Sequence, residues 1–123
     1  MTPEVLENRL VDFAVLIINV SSNLQNSNAG KNMSNQIVRS GTSPALNYGE
    51  ARSAESKKDF VHKVKIVLKE LRETRISLKI INKANLYKGD VNLLRKAANE
   101  CEELISIFVS SSKTVQKSIP KYR

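Results

Sequence analysis

From Leu6 to Leu24 apolar residues recur at steps of four and three: Leu6, Leu10, Phe13, Ile17, Val20 and Leu24. Successive residues of an α-helix advance about 100° around its axis, so this spacing predicts a helix with one apolar side. Val11, Val15 and Ile18 lie off that line, and the helix is expected to bury more than one face. Thr2, Pro3 and Glu4 open it with a capping hydroxyl, a proline in the first turn and an acid that the helix dipole favours. The polar run Gln25-Asn26-Ser27-Asn28-Ala29-Gly30 closes it as a connector.

Three further helices follow. Met33, Ile37, Val38, Leu46 and Tyr48 supply apolar positions over roughly residues 31–53, although Gly41, Pro44 and Gly49 interrupt them. Pro44 lacks an N–H, so this second helix is expected to bend or split there, with a loop as the alternative. Ser56-Lys57-Lys58-Asp59 resembles a capping box with Asp in place of Glu and opens the third helix. Phe60, Val64, Val67, Leu71, Leu78 and Ile81 form its core line. Asn85 to Asp90, with Gly89, reads as a turn, and Asp90 caps the fourth helix. There Val91, Leu94, Ala98, Cys101, Ile105, Phe108 and Val115 continue the alternation. Short connections between four helices predict an all-α fold, an antiparallel up-and-down four-helix bundle with its second helix bent near Pro44. One domain is expected over residues 1–118, followed by a frayed tail at 119–123.

Composition agrees with an all-α chain: only four Gly and three Pro in 123 residues leave few interruptions. A single cysteine, Cys101, cannot form an intramolecular disulfide, which points to a reducing, cytoplasmic setting. The N-terminal Met-Thr-Pro-Glu shows no signal-peptide pattern. The longest apolar run, Phe13 to Ile18, falls short of the roughly 20 residues that a membrane span needs.

Charge changes the picture more. Between Lys57 and Lys88 ten Lys or Arg residues face three carboxylates, a local charge of +7 within a chain whose net charge is +8. Lys58, Lys65, Lys69, Arg72, Lys79 and Lys83 share a narrow sector of the third helix, roughly 140° from its core line. Arg75 and Lys57 stand at its margin, and Asp59, Glu70 and Glu73 fall to one side instead of interleaving. Interleaved signs would mark a salt-bridged solvated face. Segregated signs fit either a surface for the phosphates of RNA or DNA or a lysine-rich face that is merely solvated. An acidic protein partner docked on the same face is the alternative. Membrane-surface binding requires bulky apolar neighbours, and only Ile76 and Ile80 are available for it. Tyr48, Tyr87 and Tyr122 are the only tyrosines, so stacking platforms for single strands are scarce and structured or duplex regions are favoured. Ile66, Ile76, Ile80 and Ala84 lie off the core line and suggest a contact between copies of the chain.

Catalytic chemistry is thin. His62 sits three residues from Asp59, and Cys101 falls on a core line, where a small apolar thiol is the expected reading. No Glu-x-x-His pair, P-loop, dinucleotide turn or zinc spacing occurs. No catalytic, cofactor or metal residue is assigned, and a non-enzymatic role is expected.

Gln36, Arg39, Ser43, Asn47 and Glu50 form a polar line on the second helix, with Ser40 beside it. It is either a solvent face or a partly buried seam that sets how this helix meets its neighbours, with Arg39 and Glu50 each ending a network through Ser43 and Asn47. Together with Tyr48, Ala51, the run Glu55 to Phe60, Lys69-Glu70 and Arg72-Glu73-Thr74, the line resembles the signature of the 23S rRNA intervening-sequence proteins. That four-helix-bundle family is similar to the accessory variability protein of diversity-generating retroelements. The match covers the middle half of the chain. It departs at Ala51, where many members have Gly, and at Pro44, where an apolar residue or Gly is usual; both departures bear on the local bend. The resemblance implies a barrel-like homopentamer with a basic surface. It also implies binding to nucleic acid, or to an enzyme of nucleic acid such as a reverse transcriptase, without catalysis.

Overall fold

The computed structural model describes residues 1–117; the expected tail at 119–123, Tyr122 and the side chain of Val115 lie outside the described residues. Four helices run in order: α1 (Pro3–Ser21), α2 (Asn28–Arg52), α3 (Lys57–Lys83) and α4 (Val91–Lys117). Each packs on its chain neighbours and α4 returns to α1, so the four form a closed ring, and among the described residues no backbones approach closely across its diagonals. This is the antiparallel bundle that the short connections require.

The helix starts follow local chemistry. The Thr2 hydroxyl accepts the Val5 N–H at 3.1 Å, and Ser56 accepts that of Asp59 at the same distance. Asp90 accepts the Asn92 N–H at 2.9 Å and opens α4. Ser27 accepts the Gly30 N–H at 3.1 Å, so α2 begins at Asn28, earlier than the expected residue 31. Part of the connector is thus already helical.

Pro44 neither splits α2 nor makes a loop: the helix is continuous and the proline is buried within it. Thr42 Oγ1 donates to the Val38 carbonyl at 2.7 Å in the turn before the proline, the kind of side-chain bond that accommodates a disturbed helical ladder. Gly41, one turn earlier, is buried against Ile17 of α1.

The α3 end is a left-handed cap. Asn85 takes φ 56°, while the Leu86 N–H donates to the Ile81 carbonyl at 3.0 Å and the Asn85 N–H to Asn82 at 3.2 Å. This paired bonding stops a helix and seats the following apolar residue on it; Leu86 is buried. The loop then pairs with the α1–α2 connector: Gln25 N–H donates to Leu86 O and Lys88 N–H to Asn23 O, both at 2.7 Å.

Inside, Leu10, Phe13, Ile17, Ile37, Val64 and Leu71 are fully enclosed, and Tyr48 meets Phe108 edge-on at 5.5 Å. Some expected core positions are not in the core. Val11, Val15 and Ile18 are 43–51% exposed and Leu46 is 70% exposed, so the second apolar face of α1 lies on the surface of the single chain. Val91 is also exposed, and on α4 Ala97 occupies the core while Ala98 faces out. Leu24 lies beyond the end of α1 but still packs on the core from the connector. Phe60 is half-buried at the rim of the core, unlike Phe13 and Phe108.

Candidate nucleic-acid interface

The basic residues of α3 separate into two groups by partner. Lys58, Lys65, Lys69, Arg72, Lys79 and Lys83 are all exposed. None of the six forms an ion pair among the described residues. They extend over 26 residues of one helix, 25 steps or about 38 Å at 1.5 Å per residue, close to one turn of a DNA duplex at about 34–36 Å. Arg75 leaves the group: it is half-buried in the α3–α4 groove and lies 3.4 Å from Glu102. Lys63, which the sequence reading did not single out, is tied at 3.1 Å to Glu50 of α2.

Glu70 and Glu73 of α3 turn toward α2 instead. Glu70 is buried and receives Arg39 Nη1 at 3.0 Å, and the other terminal nitrogen of Arg39 bonds Glu73. Beneath them the Ser40 and Thr74 hydroxyls hydrogen-bond at 2.8 Å, and Thr74 also bonds the Glu70 carbonyl at 2.9 Å. The polar line of α2 is therefore a seam against α3. Arg39 and Glu50 end it on α3 residues, whereas Ser43 and Asn47 bond only to each other, with Asn47 Nδ2 2.9 Å from Ser43 Oγ. Gln36 is exposed and stands outside the seam. By drawing Glu70 and Glu73 toward α2, Arg39 leaves the outer face of α3 without two neutralising carboxylates. On the far side of the bundle, Arg9 joins α1 to α4 through Glu100 at 2.7 Å and Glu103 at 3.0 Å. These bonds, Glu100 foremost, raise the affinity of Arg9 for its proton.

Residues 6–110 match the family of 23S rRNA-intervening sequence proteins. The chain belongs to that family. A solved relative, a protein of unknown function from the S23 ribosomal protein family of Bacteroides thetaiotaomicron VPI-5482, is 33% identical over 92% of this chain and 99% of its own, with a TM-score of 0.80. No curated protein matches the chain.

In this family member Arg39, Ser40 and Glu50 of the signature bond across to α3, whereas Ser43 and Asn47 bond each other within α2. His62 is exposed on α3, whereas Cys101 is enclosed in the core. The Cys101 thiol donates to the Leu71 carbonyl at 3.2 Å, and burial pushes its pKa up to about 12. Among the described residues no three His, Cys, Asp or Glu side chains gather closely enough to hold a metal ion. No described helix is long and apolar enough to cross a membrane. Tyr48 is buried and Tyr87 half-buried, so neither offers an open ring for stacking on the basic face.

Proposed function

We propose that this protein is a non-catalytic nucleic-acid-binding bundle that holds the phosphate backbone of RNA or DNA on the outer face of α3. One observation supports the reading above others: six cations on one rod are exposed and unpaired among the described residues, while Glu70 and Glu73 of the same helix are bound by Arg39. Such contact is largely blind to base sequence. Ile76 and Ile80, 52% and 47% exposed on the same helix, support self-association into a homo-oligomer. The family resemblance implies a pentamer, which would place several basic faces on one particle and sum their potentials.

The test compares two triple reversals of equal charge. Lys65→Glu, Lys69→Glu and Arg72→Glu should weaken binding of a structured RNA or duplex DNA probe by about tenfold or more. Lys31→Glu, Lys88→Glu and Lys96→Glu, which lie outside the face, should weaken it far less. Equal losses would mean that total charge decides, not its placement. Partners recovered from a lysate after nuclease treatment, with no RNA or DNA binding by the purified chain, would assign the face to an acidic protein such as a reverse transcriptase.

A further inference from the structure

Beside the basic face, the C-terminal half of α3 and the N-terminal half of α4 enclose a groove of about 380 Å³. Leu78, Leu94 and the exposed Ala98 give it an apolar lining, and Arg75, Lys79, Arg95 and Glu102 line it as well. Clefts of about 300–1,000 Å³ with an apolar lining and a few placed polar groups are typical of small-ligand sites. Lys79 belongs to both surfaces, since it is one of the six exposed cations and also a wall of the groove. A strand crossing the basic face there has the groove directly alongside.

Arg75 adds a second observation. Its guanidinium is held at one end by Glu102 at 3.4 Å, yet its Nε is shut from solvent and has no hydrogen-bond partner. A buried donor without an acceptor is costly and is normally satisfied in a working site. Arg75 lines the groove, so an acceptor bound there is the candidate partner for this nitrogen. Planar guanidinium groups also cover the faces of unstacked bases, which lets an arginine replace the aromatic platform that is missing among the described residues of this face.

We propose that the groove receives one unstacked nucleobase, from a bulge or loop of the strand whose phosphates rest on Lys79 and its neighbours. This rests on the nucleic-acid reading above and narrows it, from duplex in general to duplex interrupted by a bulge. The apolar lining takes one face of the base, Arg95 covers its other face, Arg75 donates to an acceptor on its edge, and Lys79 holds the adjoining phosphate.

The experiment uses the full chain and three RNA duplexes: unbroken, with one bulged adenosine, and with an abasic residue at the same bulge. The bulged adenosine should bind about tenfold tighter than the other two. Ala98→Phe, which places a bulky ring in the groove, should erase that preference. With 2-aminopurine at the bulge, binding to the unsubstituted chain should cut quenching by acrylamide about threefold or more, as expected of a mostly enclosed base; this readout does not depend on the variant folding. Equal affinity for the adenosine and abasic bulges would show that bending is read and not the base, and would overturn the inference. So would equal affinity for all three probes, with the nucleic-acid reading left standing. Failure to bind any probe would remove both. A bulge preference that survives Ala98→Phe while the assembly mass changes would assign the groove to a contact between copies of this chain.

Discussion

Arg39 of α2 and Glu70 of α3 stand 3.0 Å apart, and the carboxylate is the buried partner, its side chain 10% exposed against 55% for the arginine. This pair ties α2 to α3 and keeps a negative charge away from the outer face of α3. Replacing Arg39 by Met should leave Glu70 enclosed without its partner. The expected cost is about 1–3 kcal/mol in urea unfolding. Adding Glu70→Gln to Arg39→Met should recover part of that loss, because the second change removes the stranded charge. No recovery in the double variant would show that Arg39 acts through packing alone.

Gly41 sets the distance between α1 and α2. A Cβ at this position would fall 2.6 Å from Cγ2 of Ile17 and 2.9 Å from its Cβ, and the branched side chain is itself fully buried. Alanine is the better helix former by about 1 kcal/mol, but overpacking of this kind costs about 1–3 kcal/mol. The clash should win, so Gly41→Ala should lower the melting temperature. Ile17→Val in the same background should restore part of it. A rise on Gly41→Ala alone would contradict the close approach.

Cys101 should be silent in the folded protein. Its thiol is enclosed, bonded to Leu71 O at 3.2 Å and raised from 9.0 to about 12 chiefly by burial. A thiol reagent at pH 8 should therefore react only as fast as the chain unfolds. The pH dependence has a fixed sign. Above pH about 9 the unfolded chain loses this proton while the folded chain keeps it, so the contribution to stability is intact below pH 9 and falls as pH rises toward 12. Cys101→Val should lose less stability than the native chain between pH 8 and pH 10. Rapid labelling under native conditions would contradict the burial.

Asn85 carries the left-handed residue that ends α3, at φ 56°. Asn85→Gly should leave stability within a few tenths of a kcal/mol, and Asn85→Val should cost about 1–2 kcal/mol. The check is chemical denaturation of both variants. Equal effects would mean that the backbone conformation does not limit the turn.

Much of this was legible in the sequence, and the exceptions have physical causes. The core lines of α1 and α3 follow from spacing because a helix packed on one side must repeat near 3.6 residues. The same spacing cannot say whether an apolar face meets its own bundle, which is why Val11, Val15 and Ile18 were expected inside and lie at the surface. On α4, steps of three and four both preserve the line, so Ala98 was chosen where Ala97 is enclosed. The turn was located by its composition, yet the left-handed residue is Asn85 and not Gly89, which takes an ordinary φ. Gly89 serves a close approach instead, since a Cβ there would fall 2.8 Å from the Asn23 side chain.

At the candidate site, six basic residues were placed on one exposed sector by angle alone, because that sector depends only on α3. Arg75 stands at its margin, and the pairing with Glu102 was not legible because that residue is on α4, whose rotation is set by packing. The polar line of α2 was visible for the same single-helix reason. Its closing partners Glu70, Glu73 and Lys63 were not, because they belong to another helix.

The most direct test of the account is the salt dependence of binding to a duplex DNA probe. Contact between six cations and phosphate predicts that log K falls linearly with log salt, with a slope of about −5. A slope near zero would contradict the account, because it would mean that no counterions leave when the face is occupied.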